Sequence, residues 1–269
     1  LDDILATVGI VAALNKIADA FSNASDKAAE FETNVAMVST VADTTVLSAD
    51  QLATQISGLS KDTAKNVNEL ADATYNAISA GVATEGAVET VGEASKLATA
   101  GFTSSASALS VLTTALNAYQ LEASEVTNIS DSLITSQNLG VMTIDQLSSS
   151  MGKAISTASA YSIDLYNLES GYISLTKAGV SVEESTTYIS SMFNELGDSS
   201  SEVAGVIMEE TGQSFGQLMK SGYSLADVLE ILYNSVDQDS EALMNLWGSA
   251  EAGKAANAVI NQGLDTFNT

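Results

Sequence analysis

The amino-acid sequence predicts an all-α fold in which antiparallel helical hairpins stack into a compact multi-helix array with short Gly, Ser and Thr turns. The 269 residues include no proline, the residue that helix interiors exclude most strongly, where an average chain carries about thirteen. A short turn motif recurs along the chain, and the interval between successive motifs fits one helix of roughly four turns plus one tight turn. Between the turns, apolar residues are spaced by three or four positions, which indicates one buried helix face.

The N-terminal segment, residues 1–45, is expected to form a long helix that ends a coiled-coil segment. Its most apolar run, Ile4 to Leu14, is 11 residues long, too short to cross a bilayer. A stripe along this helix suits pairing with a second copy, and packing as a lid within the same chain is the alternative. The stripe comprises Ile4, Val8, Val11, Ala12, Leu14, Ile17, Ala18 and Phe21. The absence of an initiator Met indicates a piece of a longer protein.

Residues 46–197 are predicted to form a core of repeated helical hairpins. Each turn has Gly or a small polar residue, then an apolar residue, then usually Ser, Thr or an acid. A Gly just past a helix end takes the left-handed conformation, the apolar residue packs back on the last turn, and Ser or Thr caps the next helix. In two such turns the first position, which elsewhere holds glycine, is occupied by Gln120 and by Ser162. The structural turn positions assigned to glycine are Gly81, Gly101, Gly140, Gly179 and Gly222.

Three helix starts carry the sequence pattern of a capping box. They are Ser48 to Gln51, Thr143 to Gln146 and Ser181 to Glu184. After a break predicted at Leu196 to Ser201, residues 198–269 are expected to form a C-terminal helical subdomain. A lesser break is expected at Asp43 to Thr45.

The composition excludes most familiar active sites. Without Cys or His, the chain has no thiolate nucleophile, no cysteine zinc site and no Ser-His-Asp arrangement. It carries 34 acidic residues against nine basic ones, all Lys, for a formal net charge of −25. This charge opposes direct nucleic acid binding, and the lack of Arg removes the usual phosphate fork. We expect no catalytic residue, no cofactor and no metal site.

Two acidic pairs, Glu183-Glu184 and Glu209-Glu210, could suggest a hydrolase. Adjacent residues of a helix point about 100° apart and do not face each other, so we interpret both pairs as solvated acids in a first helical turn. An enzyme would need a deep pocket lined by acids and by tyrosines. The tyrosines in question are Tyr161, Tyr166 and Tyr172.

Two further motifs fall short of a ligand site. The run from Asp237 to Glu241 resembles the start of a calcium loop, but Ala242 stands where Gly is required and Gly248 where Glu is required. We expect a helix start there. The run from Gly248 to Lys254 is not a Walker sequence, because Ala255 replaces Ser or Thr and no strand precedes it.

Trp247, with Leu243 and Met244, is a candidate partner contact, because Trp dominates interface hot spots. Packing in the core beneath the last helices is the alternative.

Four segments in order resemble the conserved core of phage tail tape measure proteins, the minor tail proteins found inside long phage and prophage tails. The resemblance covers residues 31–263, with Gln120 in place of the family's small turn residue and without Pro or Arg. The segments are Phe31 to Val41, Asn68 to Gly81, Thr113 to Ser124 and Leu246 to Ala256.

This resemblance implies a structural, non-enzymatic protein that acts in tail assembly, tail length determination and genome ejection. It implies a location in the virion tail lumen, and in the host cytoplasm during assembly. The implied partners are the tail tube, tail-tip or baseplate hub proteins and tail assembly chaperones, together with self-association. Membrane contact would come only through flanks of the chain. In such proteins the ruler is the long helical part, so this region would lie beside it. An α-solenoid-like protein-binding scaffold unrelated to phage is the alternative.

Overall fold

The computed structural model describes residues 25–262, and every regular element in that range is helical, which confirms the predicted all-α fold. The chain divides into two compact units, Leu1–Gly92 and Glu93–Thr269, with the boundary inside helix α4. The apolar stripe predicted between Ile4 and Phe21 lies outside the described residues.

The first unit contains a short run of helices joined by tight turns. They are α1 (residues 25–41), α2 (Ala49–Thr63), α3 (Val67–Ser79) and the first half of α4 (Thr84–Ala100). Helices α2 and α3 pack against each other and bury Leu52 and Leu70. The Asp43 amide after α1 donates a 2.8 Å hydrogen bond to the Thr84 hydroxyl at the start of α4, which joins the end of α1 to the start of α4.

The second unit contains the end of α4 and ten further helices in the described part of the chain. They are α5 (Ser105–Tyr119), α6 (Val126–Leu139), α7 (Ile144–Ala160), α8 (Leu165–Lys177), α9 (Val182–Gly197), α10 (Glu202–Thr211), α11 (Phe215–Lys220), α12 (Leu225–Ser235), α13 (Ser240–Asn245) and α14 (Ala250–Asn261). A 3₁₀ turn, Ala123–Glu125, precedes α6.

Alternate helices of the second unit form its main packing surfaces. Helix α5 packs against α7, α7 against α9, and α9 against α14. On the other side α6 packs against α8, which in turn contacts α9 and α14. Ile155 of α7 and Phe193 of α9 are fully buried in this arrangement. Burial of each such side chain stabilises the fold by roughly 1.5–3 kcal/mol.

The predicted helix starts are confirmed in most of their detail. Ser48 and Thr143 each form a complete capping box, with reciprocal side-chain and backbone bonds. At α9 the Ser181 hydroxyl accepts from the Glu184 amide but donates to the Glu184 carboxylate, so the second half of the box is a side-chain pair. The segment predicted as the main break, Leu196 to Ser201, contains the last two residues of α9 and the short turn before α10, all within the second unit.

Left-handed backbone is present at three of the five glycine turns. Gly81, Gly179 and Gly222 have φ of 102°, 87° and 89°. At the first of these turns the Val82 amide donates to the Ala77 carbonyl, which is the bond that closes a Schellman motif.

Gly101 and Gly140 depart from the expected left-handed conformation. After α4 the left-handed residue is Phe102, with φ of 53°, and Gly140 is extended, with φ of −95° and ψ of −176°. Both glycines instead lie where a Cβ would be crowded. A Cβ on Gly101 would lie 2.6 Å from Cγ1 of Ile144, and one on Gly140 would lie 2.7 Å from Cε of Met142.

Candidate partner-binding surface

Three large apolar side chains are exposed at one end of the second unit. Phe102 in the α4–α5 turn is 94% exposed, Val141 in the α6–α7 turn is 72% exposed, and Leu139 at the end of α6 is 51% exposed. We refer to these three residues as the apolar face. Isolated exposed apolar residues are ordinary on protein surfaces, so a site is indicated here by the grouping and the backbone geometry of the three residues.

Hydrogen bonds hold the turns at this end side by side. The Thr103 hydroxyl of the α4–α5 turn donates to the Asp145 carboxylate in the first turn of α7. The Val141 amide of the α6–α7 turn donates a 3.1 Å bond to the Thr176 hydroxyl near the end of α8. The apolar face is therefore carried by neighbouring turns that are fixed to each other.

The backbone of the α4–α5 turn directs Phe102 outward. The Thr103 amide donates a 2.9 Å bond to the Ala98 carbonyl, which closes a Schellman motif with Phe102 in its left-handed position. At comparable turns that position holds Gln120 or Ser162, or a glycine. The motif is thus shifted by one residue from the predicted register, and the apolar residue takes the place of the small one.

The α6–α7 turn exposes Val141 by a different geometry. Because Gly140 is extended, the next side chain points away from the helices. Met142 takes the inward position and is buried. The outward position of Val141 is then fixed by its amide bond to Thr176.

Exposed charged side chains lie at the same end of the second unit as the apolar face. Asp145, Glu183 and Glu184 are exposed in the first turns of α7 and α9, and Lys177 is exposed in the last turn of α8. Hydrogen bonds from the hydroxyls of Thr103 and Ser107 lower the pKa of Asp145 below its ordinary value. This group is therefore ionised at neutral pH.

A second polar cluster lies inside the unit, where α8 faces α6. Burial raises the pKa of Glu169 to about 8, against the opposing hydrogen bonds from Ser132 and Ser136, and the Asp164 charge adds to the rise. The Ser132 hydroxyl donates to the Glu169 carboxyl at 3.1 Å. Burial also raises the pKa of Tyr119, with the charges of Asp164 and Glu169 as smaller causes. A general acid needs access to a substrate, and Glu169 is buried.

The sequence interpretation did not identify Glu169, although a signal was present. The residue lies four positions after Leu165 and three before Tyr172, both buried on the same helix face. A carboxyl at that spacing within an apolar stripe indicates a buried acid.

The residues proposed for partner contact near the C-terminus are mostly interior. Leu243 and Trp247 are buried and Met244 is 36% exposed. The Glu195 carboxylate of α9 accepts bonds from the Gly248 and Ser249 amides at 2.7 and 3.0 Å and from the Ser249 hydroxyl at 2.5 Å. The α13–α14 turn is thereby attached to α9, and in this conformation Met244 is the member of the predicted contact that a partner could reach.

The tyrosines considered for an active site do not line one pocket. Tyr172 is buried and its hydroxyl lies 2.7 Å from that of Thr186. The Tyr161 ring packs against Phe215 with centroids 6.4 Å apart, and Tyr166 is exposed. A separate cleft of about 650 Å³ opens beside α10 and α12. Its lining residues are Glu210, Thr211, Tyr223, Ile231, Asn234 and Ser235.

One interpretation of the acidic pairs was wrong. Glu183 and Glu184 lie in the first turn of α9 as expected, but Glu209 and Glu210 lie in the last turn of α10, where the helix dipole does not favour them. Asp239 caps the start of α13 by accepting from two amides. Within residues 25–262, no cluster of acidic side chains is arranged to hold a metal ion. None of the helices described is both long and apolar enough for a membrane span.

Comparisons with known proteins found a matching family and a similar phage protein. The family described as phage-related minor tail protein matches residues 53–248. The chain is also similar to a probable tape measure protein of Clostridium phage phiCD119, at 29% identity over 255 residues. That match covers 91% of this chain and 27% of the relative, so the chain spans about a quarter of the relative's length. No solved structure matches.

Proposed function

Because the chain belongs to the phage-related minor tail protein family, we propose that it is the globular core region of a tape measure protein that acts in tail assembly. The observation that carries the proposal is the family match, which extends over residues 53–248 and so includes most of the second compact unit and part of the first. The similarity to a protein named as a probable tape measure protein supports the same assignment. We propose no catalytic function for this region.

The helix lengths support an assembly role rather than a ruler role for this region. A continuous helix extends by about 1.5 Å per residue. The longest helices between α2 and α14 have 17 residues, or about 25 Å each, and short turns follow them. A chain folded in this way adds little length per residue. Length determination would then belong to an extended helical part of the parent polypeptide, with this region beside it.

We propose a location in the virion tail lumen, after assembly in the host cytoplasm, with partners among tail tube, tail-tip or baseplate hub proteins and tail assembly chaperones. The net charge of −25 supports this location, because an acidic surface does not hold DNA that passes through the same tube. Within the chain, the hairpin core of residues 46–197 would be the assembly module, with the N-terminal helix and the C-terminal subdomain on either side.

The experiment is electron microscopy of particles that carry in-frame deletions in the parent polypeptide. We expect deletion of residues 66–196 to abolish tails or to release the tail tip, because it removes the packed helices. The matched control is an equally long deletion from a predicted long helix of the same polypeptide. That deletion should leave tails intact and shorten them by about 1.5 Å per residue.

Two outcomes would contradict the proposal. Normal tails after deletion of residues 66–196 would show that the region is dispensable for assembly. Tails shortened in proportion to that deletion would make the region itself a ruler. The helical scaffold unrelated to phage, considered from the sequence, is not supported by the family match.

A further inference from the structure

We propose that the apolar face, formed by Phe102, Leu139 and Val141, is a docking surface for a basic segment of another protein that presents an apolar stripe. This inference goes beyond the role in tail assembly, because it assigns a particular surface and a particular partner chemistry.

The fold gains almost nothing from the Phe102 side chain. Its ring is 94% exposed, so it contributes almost no burial. Its φ of 53° is left-handed, a conformation that costs a residue with a Cβ more than it costs glycine. A residue that opposes local folding preferences without a compensating contact indicates a site used for something other than stability.

Val141 is exposed at the same end of the unit through a different backbone geometry. Its turn uses an extended glycine rather than a left-handed residue, and its orientation is fixed by the hydrogen bond to Thr176. At the opposite end of α7, in the α7–α8 turn, Ile163 follows left-handed Ser162 and is fully buried. Leu121, which follows left-handed Gln120 in the α5–α6 turn, is 40% exposed, so the exposure of the apolar residue varies from one turn of this unit to the next.

The charges near the apolar face determine which kind of partner it would bind. Asp145, Glu183 and Glu184 are exposed at the same end of the unit as the face, and Lys177 there carries the opposite charge. The dipoles of the adjacent helix starts act only over the first turn and are already capped by Ser104 and other hydroxyls. A second copy would bring another net charge of −25 toward the surface. A segment with Lys or Arg beside an apolar stripe gains both from burial and from attraction.

The test uses the whole chain of 269 residues and a fluorescent amphipathic peptide of Leu and Lys, about five helical turns long. Its dissociation constant is measured by fluorescence anisotropy. The test variants are Phe102→Gly and Val141→Ser. The matched control is Gln120→Gly, because Gln120 has the same φ of 53° but lies at the opposite end of α5, in the α5–α6 turn.

We expect both glycine variants to have a raised melting temperature, because each relieves a left-handed residue. Phe102→Gly should weaken peptide binding roughly tenfold or more, as expected for an aromatic anchor, and Val141→Ser should weaken it severalfold. Gln120→Gly should leave binding unchanged. A purely structural role for Phe102 would not separate binding from stability in this way.

Three results would overturn the proposal. The first is a dissociation constant that stays the same in Phe102→Gly and in Val141→Ser. The second is equally tight binding of a matched peptide of Leu and Glu, which would remove the charge argument. The third is a dimer in sedimentation equilibrium that Phe102→Gly abolishes, which would assign the face to a second copy of the chain.

Discussion

At the scale of single residues, Glu169 makes the stability of the fold dependent on pH. The unfolded chain ionises this carboxyl near its ordinary pKa of 4.5, whereas burial in the folded chain raises the pKa to about 8. Between these values the unfolded state has lost a proton that the folded state retains. The free energy of unfolding therefore falls as pH rises, by at most roughly 1.4 kcal/mol per pH unit.

Replacement of Glu169 by Gln should remove this fall. The amide stays neutral at every pH and its oxygen still accepts from the Ser132 hydroxyl. We expect urea denaturation to give similar stabilities for the two proteins at pH 5 and a more stable variant at pH 8. Glu183→Gln, at an exposed first-turn acid, is the control and should follow the unmodified protein. Parallel curves for Glu169→Gln and the unmodified protein from pH 5 to pH 8 would contradict the assignment.

The same scale shows why some residue roles could be predicted and others could not. The capping of α2 by Ser48 depends on residues within four positions, and it was predicted correctly. The role of Gly101 depends on Ile144 of α7, and that of Gly140 depends in part on Thr176 of α8, and both contacts form only when helices distant in sequence have packed. Phe102 then has the left-handed conformation that the turn motif predicted for Gly101. A local motif cannot show that shift.

At the scale of elements, two glycines provide a matched pair for the packing of α9. Gly197 at the end of α9 lies against the Tyr161 ring, which any Cβ there would overlap, whereas Gly205 within α10 has nothing near its Cβ position. Gly197→Ala should displace the ring from Phe215 and destabilise the fold by roughly 1–3 kcal/mol. Gly205→Ala should stabilise it by about 0.5–1 kcal/mol. Denaturation midpoints measure both, and a stabilising Gly197→Ala would show that the ring is not held there.

The attachment of the α13–α14 turn to α9 is a second prediction at this scale. Glu195→Ala removes the acceptor for both turn amides and for the Ser249 hydroxyl. We expect a loss of about 1–3 kcal/mol and faster hydrogen exchange in α13 and α14. Glu251→Ala, which removes an exposed acid from the first turn of α14, should cost only about 0.3–1 kcal/mol. Equal effects of the two variants would mean that Glu195 acts through charge alone.

At the scale of the whole molecule, the sequence predicted the fold class and the turn positions better than the packing. Apolar spacing and the missing proline are properties of each segment, so helix bounds such as Ile144–Ala160 could be predicted locally. The pairing of alternate helices, α5 with α7 and α7 with α9, depends on side chains far apart in sequence. Tertiary bonds such as that between Val141 and Thr176 have no sequence signature of their own.

The net charge of −25 provides the last prediction, which concerns the molecule as a whole. The chain carries 34 acidic residues and only nine lysines. The excess negative charges repel one another more strongly in the compact folded state than in the expanded unfolded state, so the net charge lowers the stability of the fold. Salt reduces the Debye length from about 30 Å at 10 mM to about 3 Å at 1 M. The melting temperature should therefore rise by several degrees over this range.

The double variant Glu209→Gln, Glu210→Gln tests the cause, because it removes two exposed charges from the unfavourable end of α10. We expect it to melt higher than the unmodified protein at 10 mM salt and to gain less from added salt. The same gain in both proteins would indicate that salt acts through apolar hydration rather than through charge.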